Sequence, residues 1–146
     1  MAQDTGDPMD RLGLLLAQHG AGTDTRIRAA LGVTGLTPRQ AMTLMFLGRG
    51  PTSQQALVDM LEVDPSVLVS ILNDLERGGQ ATRRRDPADR RRHIVEITPE
   101  GLAALRATGV ALDAVEEELF ADFSARERAT LHKLLNKIRT ADDYDC

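Results

Sequence analysis

The densest run of chemically committed side chains lies at residues 83–92, where six arginines stand against Asp86 and Asp89. That is a local charge of +4 in a chain whose formal net charge is −4, which leaves −8 on everything else. A guanidinium is permanently charged and planar, and its fork of N–H donors meets a phosphate through two parallel bonds. A cationic stripe on an acidic body is the distribution that a local phosphate-binding surface requires. Charge alone fits a solvated loop equally well, so this pattern has to be read with its neighbours.

The neighbour upstream is a helix over residues 65–77 with two distinct faces. Leu68, Ile71, Leu72 and Leu75 follow the i, i+3, i+4, i+7 rule and form its core side. Ser66, Val69, Ser70 and Asn73 repeat that spacing two residues out of phase, nearly opposite at 100° per residue. This outer face is short and weakly polar, without the lysines and glutamates that usually cover an exposed helix. Short side chains let a helix approach base edges closely. Asn73 can pair with adenine, and a Val69 methyl can meet a thymine methyl.

Other chemistry is thinly represented. Neither a G-x-S-x-G element nor a Walker loop, zinc motif or dinucleotide fingerprint occurs, so no enzyme class is indicated. The paired carboxylates Asp142 and Asp143 sit in a polar tail unsuited to a rigid site. His19, His93 and His132 are scattered, and one cysteine, Cys146, makes neither an internal disulfide nor a cysteine-based zinc site. No metal or cofactor is expected. The first ten residues carry three acidic groups and no basic one, the wrong sign for a signal or transit peptide. No apolar run approaches the roughly 20 residues that cross a bilayer. With 42% hydrophobic and 27% charged residues, the composition is that of a soluble globular protein, expected to be cytoplasmic and nucleoid-associated.

The elements that must position these groups can be read in order. Met9, Leu12, Leu15, Leu16 and His19 share one face of a first helix. That helix should kink or break at Gly20 and Gly22 before resuming through Ile27, Ala30 and Leu31, because glycine costs about 1 kcal/mol in a helix interior. Thr37-Pro38-Arg39-Gln40 opens a second helix with a capping threonine, a first-turn proline and a glutamine three residues on. Residues 48–52 form a turn, and a short third helix starts at Ser53. Asp64-Pro65 caps and opens the fourth helix, and Gly78-Gly79 stops it. Two short helices joined by so brief a turn outline a helix-turn-helix.

The period then changes from helical to alternating. Residues 80–84 and 93–98 form two strands around the turn Asp86-Pro87-Ala88-Asp89. This hairpin, a wing, places Arg83, Arg84, Arg85, Arg90, Arg91 and Arg92 beside the two-faced helix. Arginine is drawn into a narrow minor groove by its concentrated negative potential. Asp89 is expected to orient one of these arginines through an ion pair. Thr98-Pro99 opens a long helix, and Ser124 with Glu127 forms a capping box for the last one. The fold expected is mainly α with a small β-hairpin, a winged helix-turn-helix in a single domain. The alternative is a winged helix used as a protein-interaction module, which gains little from so much charge at the wing tip.

At Leu36-Thr37-Pro38-Arg39-Gln40, Leu75-Glu76-Arg77-Gly78-Gly79, residues 86–92, and Ile97-Thr98-Pro99-Glu100-Gly101, the chain resembles the multiple antibiotic resistance regulator (MarR) family. The resemblance implies a ligand-responsive repressor acting as a homodimer on a pseudo-palindromic operator. It implies a winged lobe at about residues 36–98 and dimerisation helices at about 9–31 and 99–140. It also implies recognition helices in the major groove of double-stranded DNA, and Arg91, held by Asp89, in a minor groove. A small, often anionic aromatic effector would sit between the lobe and the dimer helices, where Phe46 is the nearest ring. The early-helix cysteine of peroxide-sensing relatives is absent. Gln80 and Ala81 replace the large apolar residue and valine usual after the recognition helix, which predicts looser packing at the wing base.

Overall fold

The computed structural model describes residues 6–139. Cys146, Asp142 and Asp143 lie outside them. A short 3-10 turn, Pro8–Asp10, leads into α1 (Leu12–Gly32), which is one continuous helix. The break expected at Gly20 and Gly22 is absent. Glycine weakens helix propensity but keeps both its N–H and its carbonyl, so unlike proline it leaves the hydrogen-bond ladder whole. The turn that follows the helix passes through Gly35, whose φ of +74° is the left-handed conformation that glycine adopts without strain.

The next helix, α2 (Pro38–Leu47), carries the full reciprocal cap: Gln40 N–H donates to Thr37 Oγ1 at 3.2 Å and Thr37 N–H to Gln40 Oε1 at 3.1 Å. Thr52, expected in a turn, and Ser53, expected to start the third helix, then supply a two-residue strand, β1 (Thr52–Ser53). It exists because it pairs with a distant partner, Thr52 opposite Val95 and Ser53 opposite Ile94. Ser53 also caps α3 (Gln54–Leu61), accepting from Ala56 N–H at 3.1 Å. After a turn in which Glu62 takes the left-handed conformation comes α4 (Pro65–Arg77). The wing strands β2 (Ala81–Arg85) and β3 (His93–Ile97) complete a three-stranded antiparallel sheet of order β1-β3-β2. Two further helices follow, α5 (Pro99–Leu119) and α6 (Ala125–Leu135).

Residues 6–115 form one compact unit. Its core is built from Leu31, Leu36, Ala41, Leu44, Leu47, Leu57, Leu68, Leu72, Leu75, Ala81 and Val95. Full burial of one leucine contributes about 1.5–3 kcal/mol, so this cluster is the main force holding α2, α3, α4 and the sheet together. In contrast, α1 buries only Leu31, while Leu12, Leu14 and Leu16 stand exposed.

The second unit begins at Glu116. Here the Ser124–Glu127 capping box opens α6, with both bonds made, and the rings of Phe120 and Phe123 pack edge to face at 5.3 Å. No residue of α6 is buried, and Leu134, Leu135 and Ile138 are exposed. Among the described residues no helix is long and apolar enough to cross a membrane.

Candidate nucleic-acid interface

The site is built on α4. Pro65 fixes the first helical φ, and the carbonyl of Asp64 closes the first turn by accepting from Val67 N–H at 2.9 Å and Leu68 N–H at 3.1 Å. The expected side-chain cap is not made, and the Asp64 carboxylate bonds no helical N–H. The two faces separate as their spacing requires. Leu68, Ile71, Leu72 and Leu75 are buried, whereas Ser66, Val69, Ser70 and Asn73 are all exposed. These four span two turns, about 10 Å along the axis at 1.5 Å per residue.

From α4 the chain turns tightly through Gly78 and Gly79 into the hairpin, whose register pairs Ala81 with Ile97, Arg83 with Val95 and Arg85 with His93. The wing base is closed more firmly than the residues Gln80 and Ala81 led us to expect. Thr98 Oγ1 donates to Gly79 O at 2.6 Å, Thr98 N–H to Gln80 O at 3.1 Å, and Gly101 N–H to Thr98 Oγ1 at 3.0 Å. Ala81 is buried, and a Cβ at Gly101 would lie 2.1 Å from Gln80 O. Backbone contact replaces the missing bulk of a large side chain.

The six arginines divide into two sets of three. Side chains alternate across a strand, so Arg83 shares the face of buried Ala81 and turns toward α4. Its Nε donates to Glu76 Oε1 in an ion pair, and its Nη2 donates to Asn73 Oδ1 at 2.7 Å. Arg84, on the other face, pairs with Glu96 of β3 at 2.8 Å. Arg85 reaches across the tip to Arg90 O at 3.0 Å. Arg90, Arg91 and Arg92 are exposed, and no side-chain partner holds them among the described residues.

Both wing aspartates act on the backbone. Asp86 Oδ1 accepts from Ala88 N–H at 2.9 Å, and Asp89 Oδ1 accepts from Arg91 N–H at 3.0 Å. The ion pair expected of Asp89 is absent. A two-residue reach to a main-chain N–H is a short, low-entropy bond, whereas a guanidinium in solvent gains little from pairing. Asp89 therefore positions Arg91 through its main chain and leaves the guanidinium free. Sequence reasoning missed Glu76 and Glu96 as partners, although the alternation rule, applied to Arg83 and Ala81, places Arg83 toward the helix.

Among the described residues no group of three or more His, Cys, Asp and Glu could hold a metal ion. Phe46 is half-buried, with the Arg49 guanidinium over its ring at 5.6 Å.

Residues 34–92 match the family model described as the MarR family. A probable transcriptional regulator of Pseudomonas aeruginosa, solved by crystallography, is 31% identical, with a TM-score of 0.77 over 88% of this chain and 96% of that one. The chain belongs to the MarR family. A second relative of this MarR-family protein is the putative transcriptional regulatory protein for the hcr operon of Thauera aromatica. It is 35% identical over 109 residues, which is 74% of this chain and 66%, just under two thirds, of that protein. The transcriptional repressor CouR has been solved bound to a 23-mer DNA duplex (25% identity, TM-score 0.82, covering 93% of this chain and 97% of that one). CouR from Rhodococcus jostii RHA1 has also been solved bound to p-coumaroyl-CoA (26% identity, TM-score 0.76, covering 87% and 90%). These relatives are named as regulators and not as enzymes.

Proposed function

We propose that this MarR-family protein is a sequence-specific regulator of transcription that binds double-stranded DNA as a homodimer, acting as a repressor that a small molecule releases. The observation that carries the reading is the pairing of a charge-free helix face with a charged hairpin tip. Ser66, Val69, Ser70 and Asn73 can lie in a major groove and meet base edges. Arg90, Arg91 and Arg92 have no internal partner to leave and can reach phosphates and an adjacent minor groove. Catalysis is not assigned, and the place of action is the cytoplasm, on the nucleoid.

The dimer accounts for the exposed apolar residues at both ends of the chain. Leu12 is 83% exposed and Val110 71% exposed. Exposed apolar surface of this kind marks association, and a second copy is the occupant that the family resemblance supplies. The effector rests on the same resemblance and on the CouR complex with p-coumaroyl-CoA.

Selection of bound duplexes from a random pool tests the whole reading. The expected product is a pseudo-palindrome with half-sites about one helical turn (10–10.5 bp) apart. Enrichment of no sequence, or of a single unrepeated half-site, contradicts it.

A further inference from the structure

Asn73, Glu76 and Arg83 form a closed unit at the junction of recognition helix and wing. The Arg83 side chain is 24% exposed and that of Glu76 35%, so their ion pair is partly withdrawn from water. The same guanidinium donates to Asn73 Oδ1 at 2.7 Å. An arginine offers donors only. The carboxamide atom that faces it must therefore be the oxygen, because a flipped amide would set N–H against N–H. Asn73 Nδ2 is left as the outward arm, and no partner holds it among the described residues.

We infer that Arg83, clamped by Glu76, is a specificity-determining positioning residue that locks the Asn73 carboxamide with its donors toward the DNA. The inference rests on the DNA-binding reading above and deepens it. With the oxygen engaged by Arg83, the free arm of Asn73 is the Nδ2 donor, and it needs an acceptor on the base it meets. In the major groove guanine offers N7 and O6, adenine N7 and thymine O4, whereas cytosine offers only the N4 donor. Asn73 therefore excludes cytosine at its position in each half-site. An unclamped asparagine could turn its oxygen toward N4 and accept cytosine. Arg83 acts in this scheme without contacting a phosphate, its charge being matched by Glu76.

The test compares duplex selection by the wild-type protein, Asn73→Ala, and the double variant Arg83→Gln/Glu76→Gln, which loses one charge of each sign. Asn73→Ala identifies the position that Asn73 reads. There the wild type should disfavour cytosine by roughly tenfold, and the double variant should accept it with preferences at other positions retained. The salt dependence of binding should change by less than one phosphate contact, about 0.9 in the log–log slope. Arg83→Lys should keep part of the exclusion, since an ammonium also only donates. That variant is the second arm where the double variant does not fold. Unchanged exclusion of cytosine in the double variant, full loss of exclusion in Arg83→Lys, or no positional effect of Asn73→Ala overturns the inference. A wild-type protein that selects no sequence defeats the DNA reading itself, which is a distinguishable result.

Discussion

Replacing Arg90, Arg91 and Arg92 together by alanine removes the three wing cations that the structure leaves without partners, while the strand arginines keep theirs. In the proposed dimer two wings engage, so six cations are lost. Each neutralised phosphate on duplex DNA contributes about 0.9 to the slope of log affinity against log salt, so the slope should flatten by about 5. In practical terms, doubling the salt weakens wild-type binding through these contacts by about 40-fold, a sensitivity the variant loses. Arg84→Gln is the control, because its charge is matched by Glu96 2.8 Å away and should move the slope by well under one contact. The assay is a salt titration of affinity for one selected duplex, followed by fluorescence anisotropy, with sedimentation confirming that the oligomeric state is retained. A triple variant with the wild-type slope would refute the division of the arginines, as would an Arg84 variant that flattens the slope as much as the triple one.

Two further outcomes follow from the packing. Gly101→Ala puts a Cβ within 2.1 Å of Gln80 O, a backbone atom that moves only with the wing base. It should destabilise the protein by about 1–3 kcal/mol or more in denaturant unfolding, and an unchanged midpoint contradicts the close approach. The Glu127 carboxyl is held below its ordinary value first by the Ser124 N–H and then by the Ser124 hydroxyl. A depressed folded-state value means that this cap stabilises α6 above the unfolded carboxylate range and is lost as pH falls through the folded value. An NMR titration of the Glu127 side chain should show the lowered midpoint, and Ser124→Ala should raise it only part of the way, since the main-chain N–H at 124 remains. No difference between the two would refute the cap.

How much of this could be read from the residues depended on the range of the interaction. The two faces of α4, the caps at Thr37 and Ser124 and the hairpin are local patterns, legible from spacing within a dozen residues. β1 was not, because Thr52 and Ser53 become a strand only on meeting Ile94 and Val95. The wing arginines read as one cationic run, yet half of them are fixed by groups that pleating and folding bring near. Gln80 and Ala81 suggested looseness by size alone, while the compensating contact, a glycine at 101 against a carbonyl, involves no side chain at all. At Gly20 and Gly22 a local cost suggested a break, but the helix runs through both residues.

The carboxylates of Asp86 and Asp89 hold the wing turn, but they also sit beside the tip arginines. Seen from beyond a Debye length, about 8 Å at physiological salt, the tip is a weak cation on a chain of net charge −4. At contact distance the three guanidinium groups dominate. Two polyanions thus meet with little long-range attraction, and capture happens only when the surfaces touch. Encounter with DNA should consequently be slow and nearly indifferent to salt, while the residence time on a site carries almost all of the ionic-strength dependence. A regulator built this way spends little time on chance polyanions and gives up its site through faster departure.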